Sequence, residues 1–541
     1  MKRCPACRRD YYDDSLLYCL DDGTPLLEGP ARGSLDPEEP PTALLHEAIP
    51  RGDTPTLFQV HARGQPGSAN AVAVLPFANL SRSKDSEYFS DGLAEELLNV
   101  LSKIRGLRVA ARTSAFAFKG KQASVEEIGR ALHVQSVLEG SVRMAGQKVR
   151  IAVQLVDVGS GYHLWSQTYD RTLDDIFAIQ DDIAQSVVGE LRKRLLGTST
   201  DPNRSEKVAA EVARAIGVQA MDPEAHRLML LGRHFLERGN EVDAIKAVEY
   251  FRQALDIDPD YARCWGQLGR AYYLASNYGW SAIDTDYEKA GEALRRALDI
   301  EPDLAEVLAR FGRLRWVRDA EFLEVQQCLK RALDLTPDNI DVLLVAANTA
   351  NEFGQFEKAL EHSLRATAND PLGQASWSAL AFTNFLGGDL SEAETAYRRA
   401  LELAPRRVSI RALLGLVLMM QGRPDDALAE ALLEPGNDIW SPWSLAIIHH
   451  VAGRRAQSDH ELAELIEKFA NNAAFQIAEA YSMRGQIDEA FEWLNRAIGQ
   501  HDPGRFTARS SPLLKSLQED SRWLPLLRKI GFPEEITMSS L

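Results

Sequence analysis

The pattern of apolar and polar residues divides most of the chain into two regions. Between residues 70 and 197, short apolar runs and alternating segments are separated by amphipathic stretches, which is typical of an α/β domain. From about residue 222 onward, apolar residues recur with the period of a helix. We therefore expect a mixed sheet with covering helices, followed by an all-α region.

The elements expected in the α/β domain alternate along the chain. Strands are predicted at 71–77, 107–111, 136–143, 148–156 and 163–169, and helices at 87–104, 125–132 and 174–195. Apolar residues that alternate with polar ones should face a buried side of the sheet, and in the fourth strand these are Val149, Ile151, Val153 and Leu155. Gly146 precedes that strand and favours a hairpin, because glycine adopts a positive φ without strain.

The helical region repeats itself with a period close to 34 residues. Prolines stand at positions 259, 302, 337, 371 and 405, which are separated by 43, 35, 34 and 34 residues. The longest separation predicts an insertion around Asn277–Asp286. A helix pair of this size cannot bury its apolar face alone, so its neighbours must stack on it. We expect about eight such units between residues 222 and 503.

The residues at fixed places in this period resemble those of the tetratricopeptide repeat. Signature positions are filled by Trp265, Leu268, Gly269 and Tyr272 in one unit, and by Trp377, Ala393, Tyr397, Ala400 and Pro405 in another. The resemblance implies an α-solenoid whose first helices line a concave groove that binds a protein or peptide. Its inward positions would be Arg263, Arg270, Tyr273, Arg313, Trp316, Asn348, Asn351, Phe382 and Phe385. An equally tenable interpretation makes them ordinary core or solvated positions, because the register can slip after the insertion.

Cysteines are concentrated at the N-terminus. The chain has five in 541 residues, and Cys4, Cys7 and Cys19 fall within the first nineteen. This is no disulfide framework, and the Cys-x2-Cys spacing favours a metal site in a reducing compartment. Asp22 stands where a fourth ligand is needed, and its carboxylate is an acceptable ligand for zinc.

Residues 1–27 resemble the short zinc ribbons found at the N-terminus of bacterial multidomain regulators. The resemblance implies a zinc ion held by Cys4, Cys7, Cys19 and Asp22. A remnant that no longer binds metal is the alternative. The basic residues of the segment are balanced by five aspartates, so contact with protein is favoured over contact with nucleic acid.

Four segments of the α/β region resemble the TolB amino-terminal-like domain of bacterial regulators. They are residues 71–81, 86–104, 109–121 and 162–171, which occur in the expected order. That domain commonly precedes tetratricopeptide arrays, often fused to a cyclase, a kinase or a winged helix, and it has no established catalytic chemistry. The resemblance therefore implies a binding or sensing module.

Charge and motif content narrow the classes of function. Residues 1–70 contain 7 basic (Lys, Arg) and 11 acidic (Asp, Glu) residues, residues 71–197 contain 16 and 15, and residues 198–541 contain 38 and 52. The net charge is therefore −17. An acidic surface repels phosphate backbones, so general nucleic-acid binding is not expected. The sequence contains no phosphate-binding, nucleophile-elbow or zinc-protease motif. No apolar run reaches the length of a membrane span, and we expect a cytoplasmic, non-catalytic protein.

The expected organisation is multidomain: a zinc ribbon (1–27), a flexible linker (28–69), the α/β domain (70–197), a linker (198–221), the α-solenoid (222–503) and a C-terminal capping helix and tail (504–541). This organisation favours a scaffold or adaptor that binds a protein partner in the concave groove. A second hypothesis is a signalling or transcription regulator whose ribbon contacts nucleic acid or polymerase and whose α/β domain senses a ligand. A third is an enzyme with an unrecognised site in residues 70–197.

Overall fold

The chain forms two compact units in the computed structural model. The first lies in Met1–Gly67, where only the backbone of residues 2–3, 10–11 and 27–28 is described. The second is described over residues 71–533, except 82–86, 103, 105–106, 146–147, 173–181, 192–221, 237, 239–240, 278–282 and 436–437.

The first unit contains a small antiparallel sheet. Its strands are β1 (Lys2–Arg3), β2 (Asp10–Tyr11) and β3 (Leu27–Glu28), and β1 lies in the middle. The four predicted zinc ligands and the linker 28–69, apart from Glu28, lie outside the described residues.

A mixed sheet forms the centre of the α/β domain. The strands are β4 (Ala71–Val74), β5 (Ala78–Asn79), β6 (Arg108–Val109), β7 (Ser136–Ala145), β8 (Lys148–Asp157) and β9 (His163–Thr172). Their order is β6-β4-β7-β8-β9, and β5 pairs with β7. Pairing is parallel among β6, β4 and β7 and antiparallel from β7 to β9, so the expected mixed sheet is present.

Helices cover both faces of this sheet. They are α1 (Glu87–Ser102), α2 (Arg112–Phe116), α3 (Val125–Leu132) and α4 (residues 182–191). Helices α1 and α4 pack on the face that carries Val149, Ile151, Val153 and Leu155, all four of which are buried as predicted. Helix α3 covers the other face, and it begins with a capping box in which Ser124 and Glu127 satisfy each other's backbone N–H.

Sixteen helices follow between residues 223 and 499. They are α5 (Pro223–Leu236), α6 (Glu241–Ile257), α7 (Ala262–Asn277), α8 (Ile283–Ile300), α9 (Ala305–Asp319), α10 (Phe322–Leu335), α11 (Ile340–Glu352), α12 (Phe356–Asn369), α13 (Gln374–Gly387), α14 (Leu390–Leu403), α15 (Ile410–Met420), α16 (Pro424–Ala431), α17 (Trp440–Val451), α18 (Arg455–Phe469), α19 (Ala474–Met483) and α20 (Ile487–Gly499). Within the described part of the chain, no helix combines the length and apolarity needed to cross a bilayer.

These helices form eight consecutive pairs, α5/α6 to α19/α20, that stack into one array. Small residues permit close packing within a pair: a Cβ added to Gly269 would lie 2.7 Å from Cγ of Leu294 on the partner helix. Large buried side chains such as Phe251, Tyr287 and Tyr397 fill the space between helices. The first helices of successive pairs, α9, α11 and α13 among them, also contact one another.

The C-terminal segment continues beyond the last pair. It contains two 3-10 helices, Pro503–Thr507 and Pro512–Leu517, and then α21 (Trp523–Ile530). The second 3-10 helix packs on α19, and α21 packs on α20.

The α/β domain docks on the helical array through buried charges. Glu95 and Glu96 of α1 are each 5% exposed. Glu95 pairs with Arg112 and, at 2.8 Å, with Arg233 of α5, whereas Glu96 pairs with Arg263 of α7 at 3.2 Å. The guanidinium groups therefore neutralise carboxylates whose burial without a counter-charge would lower the free energy of unfolding.

A second contact between the α/β domain and the array lies more than 100 residues further along the chain. Asp370, in the turn after α12, accepts hydrogen bonds from the hydroxyls of Thr113 at 2.7 Å and Ser114 at 2.6 Å. The backbone N–H of Leu372 donates in turn to Ser114 Oγ at 2.8 Å. The α/β domain thus spans the array from α5 to the turn after α12.

Candidate partner-binding cavity

An open cavity lies on the side of the array formed by its later first helices. Its volume is about 1210 Å³. Residues of α13, α15, α17 and α19 line it, and the C-terminal segment contributes one wall through Asp502, Gly504, Thr507 and Ser511. A space of this size accommodates a peptide segment or a drug-sized molecule.

Aromatic side chains dominate the lining of this cavity. The rings of Trp440 and Trp443 lie 5.7 Å apart in an edge-to-face arrangement, and those of Phe382 and Phe385 are 6.5 Å apart. Trp443 is 3% exposed, and no acceptor among the described residues reaches its indole Nε1. A buried N–H normally has a partner, so this unsatisfied donor is unusual.

Buried carboxyl groups form the polar part of the lining. Glu479 is 5% exposed, and its Oε1 accepts from Ser511 Oγ at 2.6 Å. Burial raises the pKa of Glu479 to about 8, with a further contribution from the like charge of Asp502. Burial likewise raises the pKa of Asp502 and Asp438, although both accept backbone N–H groups, which favour the ionised form.

The raised pKa of Glu479 makes stability depend on pH. Between its ordinary pKa of 4.5 and its folded value of about 8, the folded state holds a proton that the unfolded state has lost, so the free energy of unfolding falls as pH rises. Glu479→Gln removes this dependence. We expect the variant to gain stability over the original protein by up to about 1.4 kcal/mol per pH unit from pH 5 to 8. Urea unfolding across this range measures the difference, and a constant difference would contradict the assignment.

Next to the cavity, the C-terminal segment already occupies the array's inner side, which is the side formed by the first helices of the pairs. Phe506 is fully buried, and its ring lies 4.4 Å from that of Trp316 on α9. Arg505 donates to the carbonyl of Val317 at 2.7 Å, and Arg509 donates to the carbonyl of Phe353 at 2.6 Å. Both carbonyls lie at helix C-termini, where the helix dipole favours a cation.

Several predicted groove residues form a buried network around α9 and α11. Arg313 donates two hydrogen bonds to Glu352, and the indole N–H of Trp316 donates to Glu352 Oε2 at 2.8 Å. Burial opposes ionisation of Arg313, but the charge of Glu352 and the hydrogen bonds that Arg313 makes with Glu352 and Tyr273 raise its pKa above the ordinary value. Trp316 is fully buried beneath the C-terminal segment.

The remaining predicted groove residues have different surroundings. Arg263 pairs with Glu96 of the α/β domain. Desolvation opposes ionisation of Asp341, but the charges of Arg310 and Arg270 lower its pKa to about 2. Asn348 is exposed. Asn351 is buried and donates to Thr383 Oγ1 at 2.9 Å. Of the predicted set, Phe382 and Phe385 line the open cavity.

Sequence reasoning missed Trp440, Trp443 and Glu479. The two tryptophans are spaced i, i+3 and therefore share a helix face. Glu479 is the one charged residue of a mostly apolar helix, which is a recognisable signal of a buried polar group. The wall formed by residues 502–513 carried no comparable signal, because it depends on contacts with distant helices.

The α/β domain has a second cavity, of about 1050 Å³. It lies beyond the carboxyl end of β4, where Phe77 and Phe118 form apolar walls and Lys119 and Lys121 bring positive charge. The carboxyl ends of parallel strands are a common place for ligands. Among the described residues, no cluster of three or more His, Cys, Asp or Glu side chains is arranged to hold a metal ion.

Comparison with known proteins identifies the repeats. Residues 344–406, 385–437 and 243–261 match models of the tetratricopeptide repeat. The helical half of the chain is thus a repeat protein built from stacked helix pairs. Over the matched residues, its repeats are tetratricopeptide repeats.

Relatives of known sequence or structure match only part of the chain. A Rhizobium meliloti (strain 1021) protein named "Putative adenylate cyclase 3" is 38% identical over 198 residues, or 37% of this chain, and the chain spans only 32% of that relative. Among solved structures, Pseudomonas aeruginosa PilF is 19% identical with a TM-score of 0.32, covering 40% of this chain and 95% of its own. A human IFIT1 dimer with PPP-AAAA is 14% identical with a TM-score of 0.40, covering 77% and 95%. At these scores the structural likenesses support no conclusion about function.

Proposed function

We propose that this protein is a non-catalytic, cytoplasmic scaffold or adaptor whose repeat array binds a protein partner. The supporting observation is the open cavity, whose lining includes the aromatic side chains of Phe382, Phe385, Trp440 and Trp443, on an array of tetratricopeptide repeats. Aromatic side chains contribute a large share of binding energy at protein interfaces. Because the helices that carry them are packed on both sides, little ordering is needed when a partner binds.

Affinity purification with the full chain tests this proposal. Phe382→Glu places a charge in the cavity wall, and Leu323→Glu is the matched control because Leu323 is 67% exposed on α10. Proteins captured by the original chain and by the control should be lost from Phe382→Glu, provided that circular dichroism shows an unchanged fold. Capture of the same proteins by all three would show that the cavity is not the partner site.

A second candidate function is ligand sensing by the α/β domain within a signalling or transcription regulator. The cavity beyond β4 supports it, because Lys121 could attract an anionic ligand, whereas Lys119 already pairs with Asp91 at 2.6 Å. Thermal-shift measurements with nucleotides on the full chain and on Lys121→Gln test this function. Stabilisation of the original chain alone would support sensing, and the same response from both would place binding elsewhere.

The relative named as an adenylate cyclase raises the question of catalysis, but the chain spans less than a third of it. We propose that the chain does not form cyclic AMP. Incubation of the purified protein with ATP and Mg²⁺ or Mn²⁺ should yield no cyclic AMP above a protein-free control, and turnover would overturn the non-catalytic proposal.

We also propose that Cys4, Cys7, Cys19 and Asp22 bind zinc, as their spacing indicates. Elemental analysis of the full chain should find one zinc ion, and Cys4→Ser/Cys7→Ser should lose it. Equal zinc content in both proteins would contradict the ligand set.

A further inference from the structure

We propose that the partner segment bound in the open cavity is a short peptide carrying a basic side chain beside apolar ones. This inference rests on the proposed function, because it concerns the partner that the cavity would bind. It adds the chemistry of that partner, which follows from the charges and aromatic rings that line the cavity.

The charges of the cavity are divided between its interior and its mouth. Glu479 and Asp502, which are the deeply buried charged residues of the lining, are both acidic. Asp438 adds a third carboxyl at the start of α17, where its Oδ1 accepts from the backbone N–H of Trp440 at 3.1 Å. The basic residues of the lining, Arg238, Arg406 and Arg407, are all exposed.

Exposed and buried charges contribute unequally to binding. The arginines at the mouth are screened by water and salt, so their repulsion of a basic ligand is weak. The buried carboxyls are poorly solvated. Besides burial, the like charge of Asp502 disfavours the ionised form of Glu479. A cation entering the cavity would relieve this repulsion and restore the ionised form of the carboxyl.

The aromatic walls favour the same class of ligand. A guanidinium or ammonium group is attracted to the face of an indole ring, most strongly when both are removed from water. Trp440 and Trp443 lie on the helix that Asp438 precedes, so a basic side chain could contact rings and carboxyl together.

The chain itself provides a precedent for this mode of binding. Arg505 and Phe506 occupy the adjoining part of the array's inner side, where Arg505 is 4% exposed and donates to main-chain carbonyls. Its guanidinium lies 4.3 Å from the centre of the Phe506 ring. The inner side of the array therefore already holds a buried arginine beside an aromatic ring. Residues 198–541 carry 38 basic and 52 acidic residues, which would also speed the approach of a basic partner.

Selection from random dodecapeptides displayed on phage, with the full chain as target, tests the inference. Enriched peptides should combine Arg or Lys with aromatic or aliphatic residues. Synthetic, fluorescein-labelled copies are then titrated by fluorescence anisotropy at pH 8.5. Asp438→Asn/Glu479→Gln should weaken their binding at least tenfold, whereas Glu357→Gln/Glu361→Gln, which removes two exposed carboxylates from α12, should change it less than twofold.

The outcomes separate this inference from the proposed function. Peptides that lose binding on Phe382→Glu but carry no basic residue, or are unaffected by removal of Asp438 and Glu479, would overturn the inference and leave the partner site in place. Failure to obtain any peptide whose binding depends on Phe382 would overturn both.

Discussion

Replacement of Glu352 by alanine should lower the free energy of unfolding by about 3–5 kcal/mol. Glu352 is 3% exposed, and it accepts two hydrogen bonds from Arg313 and one from Trp316. Without it, a buried guanidinium and a buried indole N–H lose their acceptor at once. The loss is large because it includes the cost of leaving a charge unpaired in the interior.

Two variants make this prediction specific. Glu352→Gln keeps one acceptor, so it should lose less than Glu352→Ala. Glu361→Ala removes an exposed carboxylate that pairs with Arg365 one turn away, and it should cost less than about 0.5 kcal/mol. Urea unfolding monitored by circular dichroism compares the three, and a cost for Glu352→Ala as small as that of the control would contradict the network.

Replacement of Phe506 by alanine should cost about 3–5 kcal/mol as well. Phe506 is fully buried, and its ring packs against Trp316 at 4.4 Å and Phe532 at 6.3 Å. Truncation would therefore leave a cavity between the C-terminal segment and α9. This cost is expected only if the segment is part of the core.

An exposed apolar residue supplies the control for Phe506. Leu323, on the neighbouring α10, is 67% exposed, and its replacement by alanine should change stability by less than about 0.5 kcal/mol. Thermal unfolding of both variants measures the contrast. A cost below about 1 kcal/mol for Phe506→Ala would show that residues 502–517 lie loosely against the array.

Local sequence patterns predicted most of the elements. Helix α3 lies at the predicted Val125–Leu132, because a capping box marks its start and a left-handed residue, His133, ends it. Strands β7, β8 and β9 extend one to three residues beyond the predicted bounds, since pairing with a neighbour continues past the end of the apolar alternation. Patterns of this kind report local geometry and burial of one face.

The candidate site was harder to predict because it depends on contacts between distant residues. Arg263 and Trp316 are predicted at inward positions of the repeat, and nothing in their local sequence indicates that Glu96 and Phe506 would reach them. Sequence separations of 167 and 190 residues lie outside any helical or strand period. By contrast, Phe382 and Phe385 line the open cavity, which these internal contacts leave unfilled.

The array's inner side is divided into a part filled by the C-terminal segment and an open part. Hydroxyl-radical footprinting of the full chain, read by mass spectrometry, tests this division directly. Trp316 is fully buried whereas Trp440 is partly exposed in the cavity, so Trp440 should be oxidised much faster in the folded protein. Equal oxidation of the two tryptophans would contradict the account.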